Sequence, residues 1–204
     1  MNFQEILRLI EDGSMIVLLY LYFYSGTITF TEIINAFVHK FTNSEDAQDR
    51  MKVEKLQEYQ NSMRRILEHF NFGNATVDNC FTNGSSGFRN YNEFLVELKC
   101  QQMGHICYYI SVPHGNPYYG MHYDNLGINA TFSGYGENGM WKFEWDYATF
   151  KYLSIPKIID LGSQINELEI MTVEMIENDI QNALSVLVLD PQQHRQPQQQ
   201  EIDE

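Results

Sequence analysis

This sequence predicts an α+β fold: an N-terminal helical unit, a small antiparallel β-sheet and a C-terminal amphipathic helix. Three observations carry that expectation. Between Trp141 and Tyr147, Trp141, Phe143, Trp145 and Tyr147 alternate with Lys142, Glu144 and Asp146, which is the two-residue period of a half-buried strand. Up to about residue 72 the apolar residues recur at helical spacing instead, and they return to that spacing over 164–189.

Taken in order, residues 2–12 place Phe3, Ile6, Leu7 and Ile10 on one stripe of a short helix, with Gly13 as its stop. Met15 to Tyr24 is apolar on every position, so the stretch should be buried on all sides. A run this short fits a core helix or a central strand, and helix is the favoured reading. Thr29-Phe-Thr-Glu32 has the S/T-x-x-E form in which the two side chains satisfy each other's free backbone N–H groups, predicting a helix over about 30–41. Asn43-Ser44-Glu45-Asp46 offers a cap for a longer helix ending near Phe70, with Met51, Leu56, Tyr59, Met63, Ile66, Leu67 and Phe70 near one face. Residues 1–72 thus read as a helical cap or oligomerisation module. A winged-helix DNA reader would need a basic recognition helix, and none is present.

Residues 73–92 are rich in Asn, Gly, Ser and Thr and lack periodicity, which predicts a long polar loop, a domain boundary and a place for binding contacts. Glu93 to Met103 reads as helix or strand, ended by Gly104. His105 to Val112 is an apolar strand, and Gly/Pro/Asn clusters at 113–120 and 134–139 are turns, giving a sheet covered on one side over a family-like unit of 93–189. Ile155 to Leu161 is a short apolar linker. The 164–189 helix sets Ile165, Leu168, Ile176, Ile180, Leu184 and Leu187 inward and Glu167, Glu169, Glu174, Glu177 and Asp179 toward solvent. The Gln-rich tail, 190–204, is too polar to order itself.

Composition narrows the function. The 204 residues are 44% hydrophobic and 14% aromatic, a globular balance, and no run approaches the roughly 20 apolar residues of a membrane span. Cys80, Cys100 and Cys107 form an odd set without C-x-x-C spacing, which argues against a disulfide framework and a zinc knuckle and suits a reducing compartment. A net charge of -14, concentrated after residue 160, opposes direct nucleic-acid binding, which rests on Lys and Arg.

Gly104-His105, Val112-Pro113, Pro117, Tyr119-Gly120, Thr131-Phe132-Ser133-Gly134, Trp141, Phe143, Asp146 and Ala148 keep the order and spacing of a longer pattern. By these residues the segment from near Glu93 to near Leu189 resembles a domain common in phage and prophage proteins. That pattern runs G-H-x-x-G-Y-V-x-V-P-x-G-H-P, then V-H-G-G-L-T-F-S-G, then W-F-G-F-D-C-A-H-A-G-D. This chain departs from it where the pattern has histidines, at Asn116, Gly127 and Thr149, and where it has its final aspartate, at Tyr152. The resemblance implies a phage or mobile-element protein acting in the host bacterial cytoplasm. The departures imply that any catalytic or metal centre of the family is gone, so a non-enzymatic role without a cofactor is expected.

Among individual residues, His105, His114, His122 and Asp124 are the nearest approach to a metal cluster, with His122 and Asp124 on one face if 122–124 is a strand. The blander expectation, ordinary hydrogen-bonding histidines, is preferred. Aromatics exceed what one sheet face needs; Tyr118, Tyr119 and Tyr123 on turns, together with Trp145, are the candidates for holding a partner or a nucleotide-like ligand. Glu167, Glu169, Glu174 and Glu177 would form an acidic surface able to fill the basic groove of a nucleic-acid-binding host protein. The expected function is inhibition of a host protein by binding. A small-molecule binder, a metal-dependent hydrolase remnant and a structural phage protein are the alternatives, and self-association stays open.

Overall fold

In a computed structural model that describes residues 1–102, 104–136, 139–148, 151–160 and 164–188, helix α1 (Phe3–Glu11) opens on a capping box. The Asn2 Oδ1 accepts the Glu5 N–H at 3.0 Å, while the Glu5 carboxylate accepts the Asn2 N–H at 2.8 Å. Helix α2 (Met15–Phe23) follows, confirming helix over strand there. Helix α3 (Phe30–Thr42) begins at the reciprocal Thr29 and Glu32 pair read from the sequence, and α4 (Ala47–His69) at Asp46, whose side chain accepts the Gln48 N–H.

Five strands form one antiparallel sheet in the order β1-β2-β3-β5-β4: β1 (Ser86–Tyr91), β2 (Phe94–Cys100), β3 (Ile106–Val112), β4 (Phe132–Tyr135) and β5 (Trp141–Asp146). β1 falls inside the stretch expected to be loop. It is an edge strand, and its one buried residue is Gly87, so it shows no alternation of apolar side chains to read. A side chain at Gly87 would collide with the Phe72 ring and the Phe70 carbonyl, which is why the strand can lie so close to the end of α4.

The even-numbered side chains of β2 and β3, together with Phe143 and Trp145, form the covered face; Phe94, Val96, Leu98, Ile106, Tyr108 and Ile110 are all nearly inaccessible. The other face carries Glu144 and, around a concavity of about 390 Å³, Glu97, Lys99, Tyr109 and Lys142. Ile155–Asp160, expected as a linker, is a short helix, α5, with Ile155, Ile158 and Ile159 buried; a helix of so few turns leaves too little periodicity to recognise. The expected 164–189 helix is divided. Ile165–Glu167 is a 3-10 turn, Tyr152 bridges to Glu169, and the helix proper, α6, is Val173–Val188. Ile165, Leu168 and Met171 are buried all the same, so their spacing satisfies the core without a continuous helix.

Residues 1–72 and 94–188 bury their apolar faces in one contiguous cluster. Polar ties join them as well: Ser62 Oγ donates to the Met171 carbonyl at 2.5 Å and Lys55 Nζ to the Asn166 carbonyl at 2.8 Å. The Gln-rich tail and Thr149 lie outside the described residues.

Candidate binding site

The register of β3 on β5 sets Tyr108 opposite Trp145, and side chains opposed on one sheet face meet. Their rings stack at 4.8 Å and 4°. Tyr147, just past β5, donates its hydroxyl to Asp179 on α6 at 2.7 Å, and Tyr152 meets the Tyr147 ring edge-on at 5.6 Å. Burial, then the bond to Asp179, pushes the Tyr147 phenol up, so it stays a donor. These four aromatics wall a cleft of about 510 Å³ whose rim holds Asp146, Asn129, Asn182 and Lys151. Lys151 is engaged by Glu169 at 2.8 Å, leaving Asp146 and Asp179 to set the sign. A negative aromatic cleft attracts an ammonium or guanidinium group and repels phosphate, the wrong polarity for the nucleotide-like ligand considered from sequence.

Only Trp145 of the four aromatic candidates lines this cleft. Tyr118, expected on an accessible turn, is 2% exposed because the Asn116 side chain accepts its N–H and folds the turn inward. Tyr119 is partly buried, its hydroxyl donating to the Gly139 carbonyl, and its ring joins Trp141 and Tyr135 in a separate cluster. Tyr123 stands beside His122 with its N–H held by Ser133. The sequence placed these tyrosines on turns but carried no sign of which way the turns face.

The four glutamates part company too. Glu167 and Glu174 are exposed, and Glu174, at the start of α6, is held below the usual carboxylate range by a backbone hydrogen bond and by Thr172. Glu169 is spent on Lys151. Glu177 faces inward: one of its oxygens meets His69 Nε2 at 2.5 Å, the Tyr91 hydroxyl at 2.7 Å and Arg89 at 3.1 Å, with Arg89 also against the His69 ring. It clamps α6 to α4 and β1 and is no part of a free acidic surface.

His122 and Asp124 lie on a 3-10 turn, not a strand; His122 caps it, and the two side chains are 3.3 Å apart and well exposed. The described residues gather a different set, His105, Cys107 and Asp146, whose ligand atoms lie within 4.8 Å of one another. Burial, then Asp146 and Glu144, push the Cys107 thiol up. His105 and Asp146 were both visible as matches to the phage pattern, but Cys107 was not singled out, since nothing in the sequence pairs it with Asp146.

The largest departure from expectation is α2. Leu18 and Tyr22 are fully buried, yet Ile16 is 83% exposed, Tyr24 80%, Tyr20 58% and Val17 45%. At this spacing the four residues make one stripe about 12 Å long on the outer side of the helix. Tyr20 and Tyr24 stack along it, with centroids 6.0 Å apart. The helix holds no charged residue. Apolarity on every side was correctly legible; burial on every side does not follow, because neighbouring elements cover only one side.

No described helix is long and apolar enough to cross a membrane. Compared with protein-family models, with curated proteins and with solved structures, the chain matches none.

Proposed function

We propose that this protein is a non-enzymatic binding module that engages a protein partner through the exposed stripe of α2. One observation carries the reading: a charge-free helix leaves Ile16, Val17, Tyr20 and Tyr24 in water. Burying a side chain of this size gains about 1.5–3 kcal/mol, and Tyr is among the residues that most often anchor protein interfaces. A lipid surface is the poorer occupant, since interfacial helices pair their apolar face with Lys and Arg, and α2 has neither. A second copy is disfavoured by bringing two chains of net charge -14 together. The same charge, with Glu167 and Glu174 exposed, favours a basic partner and speeds its approach. On the resemblance to the phage domain, the partner is a host protein that this chain holds inhibited in the bacterial cytoplasm.

Ile16→Glu combined with Tyr20→Glu tests this. The substitutions lie on the outside of α2, so the melting temperature should stay within the range of surface changes, about 0.5 kcal/mol in stability. A protein retained from host lysate by the wild type should be lost by the variant and should survive high salt, because an apolar contact is not screened. Retention of the same protein by the variant rejects the α2 surface. Release of the partner by salt alone points instead to the exposed acids. A concentration-dependent dimer in light scattering, broken by the variant, replaces the foreign partner with a second copy.

A further inference from the structure

We propose that His105, Cys107 and Asp146 form a binding site for a divalent transition metal with the ligand chemistry of zinc. The residues meet through the fold. The β3–β5 register sets Cys107 opposite Asp146, and opposed residues of an antiparallel pair project from one face with Cβ atoms about 4.5–5.5 Å apart. His105 stands two residues before Cys107, so the strand period returns it to that face.

The result is one nitrogen, one sulfur and one carboxylate oxygen within 4.8 Å of one another, with His105 Nε2 and Asp146 Oδ1 3.5 Å apart. A tetrahedral zinc ion with bonds of about 2.0–2.3 Å separates its ligand atoms by roughly 3.3–3.7 Å. Imidazole and carboxylate already stand at that spacing, and the thiol needs a shift of about 1 Å at most to reach it. Mixed nitrogen, sulfur and oxygen donors select zinc or a neighbouring transition metal over magnesium or calcium, which take oxygen alone.

The surroundings hold the donors in place. Asp146 Oδ1 accepts the Ala148 N–H at 2.6 Å, and the His105 carbonyl accepts the Gln101 N–H at 2.8 Å. Glu144, the adjacent carboxylate, is taken by the Tyr109 hydroxyl at 3.0 Å. That leaves three protein ligands and a fourth position for water or an outside group. His105 and Asp146 retain 19% and 34% side-chain exposure, an entry route for the ion. Binding forms the metal–sulfur bond and releases the thiol proton to solvent. The site does not depend on the α2 surface, and either reading can fail alone.

The test uses tag-free, reduced, chelator-treated protein titrated with Co²⁺, whose thiolate complexes absorb in the near ultraviolet. One ion per chain, a thiolate charge-transfer band and displacement by Zn²⁺ are expected. Cys107→Ser should abolish the band. His105→Ala and Asp146→Asn should weaken binding by more than the roughly 10- to 100-fold that loss of an outer-shell partner brings. Cys80→Ser and His122→Ala should leave the band and the affinity unchanged. A wild type without the band, or a band surviving in Cys107→Ser, overturns the site. Should Cys107→Ser fail to fold, the part-exposed His105→Ala decides: zinc should raise the melting temperature of the wild type and not of this variant, and an equal rise in both refutes the proposal.

Discussion

Glu177→Ala is expected to be the most destabilising change available on the acidic face of α6. The wild-type carboxylate takes His69, Tyr91 and Arg89 on a single oxygen, joining three elements far apart in sequence. A hydrogen bond to a charged group contributes about 1.5–3 kcal/mol when shielded, and an exposed ion pair only about 0–1 kcal/mol. Glu177 keeps 24% of its side-chain exposure, His69 31% and Arg89 42%, so the Arg89 contact is discounted and the other two dominate. The net loss is then about 2–4 kcal/mol. For a chain of this size each kcal/mol moves the melting temperature by about 2–4 °C, giving a fall of roughly 5–15 °C. Thermal and urea unfolding of Glu177→Ala beside Glu174→Ala measure it, Glu174 lying one helical turn away and exposed. Glu177→Gln, which keeps an acceptor without the charge, should fall between them. If Glu177→Ala and Glu174→Ala agree within about 0.5 kcal/mol, the size of an ordinary surface change, the clamp contributes nothing and the reasoning is refuted.

Two further expectations concern the sheet. Burial works against the charge of Glu97, but hydrogen bonds from Lys142 at 2.7 Å and Ser86 at 2.8 Å outweigh it and hold the carboxyl below the usual range. A carboxyl lowered in the folded state adds stability above its unfolded pKa and loses it as pH falls through the folded one. Lys142→Met should therefore cost about 1–2 kcal/mol at neutral pH, with the gap to wild type closing as pH drops through the carboxylate range. Urea midpoints at both ends measure this, and a gap that persists in acid counts against the pairing. Gly87→Ala should destabilise by about 3 kcal/mol, the upper end for overpacking, because its Cβ meets backbone at Phe70 as well as the Phe72 ring. A loss below about 1 kcal/mol would mean that the edge strand simply moves away.

Much of the fold was legible because it rests on local regularities. Thr29 and Glu32 announce a helix start within four residues, and the alternation from Trp141 to Tyr147 states both a strand and its inner face. β1 was missed because an edge strand with a buried glycine has no such alternation. α5 and the break before α6 were missed because buried isoleucines and leucines at similar spacing suit a short helix, a 3-10 turn or an extended segment equally. Of the candidate site, Trp145 was legible as an aromatic on a strand, whereas Asp179 and Tyr152, its companions in the cleft, were read as a solvent-facing acid and an altered family position.

By itself the sequence determined the class of fold, the capped starts of α3 and α4, the inner face of β5 and the acidity of the whole chain. The tertiary structure alone decided which of two glutamates on one helix is a clamp and which a surface charge, that Tyr118 is buried while Ile16 is not, and that Cys107 faces Asp146. The physical reason is range. Caps and periodicities are set by neighbours within a few residues, but exposure, partnership and ligand geometry belong to the surfaces an element meets, and those arrive from distant parts of the chain.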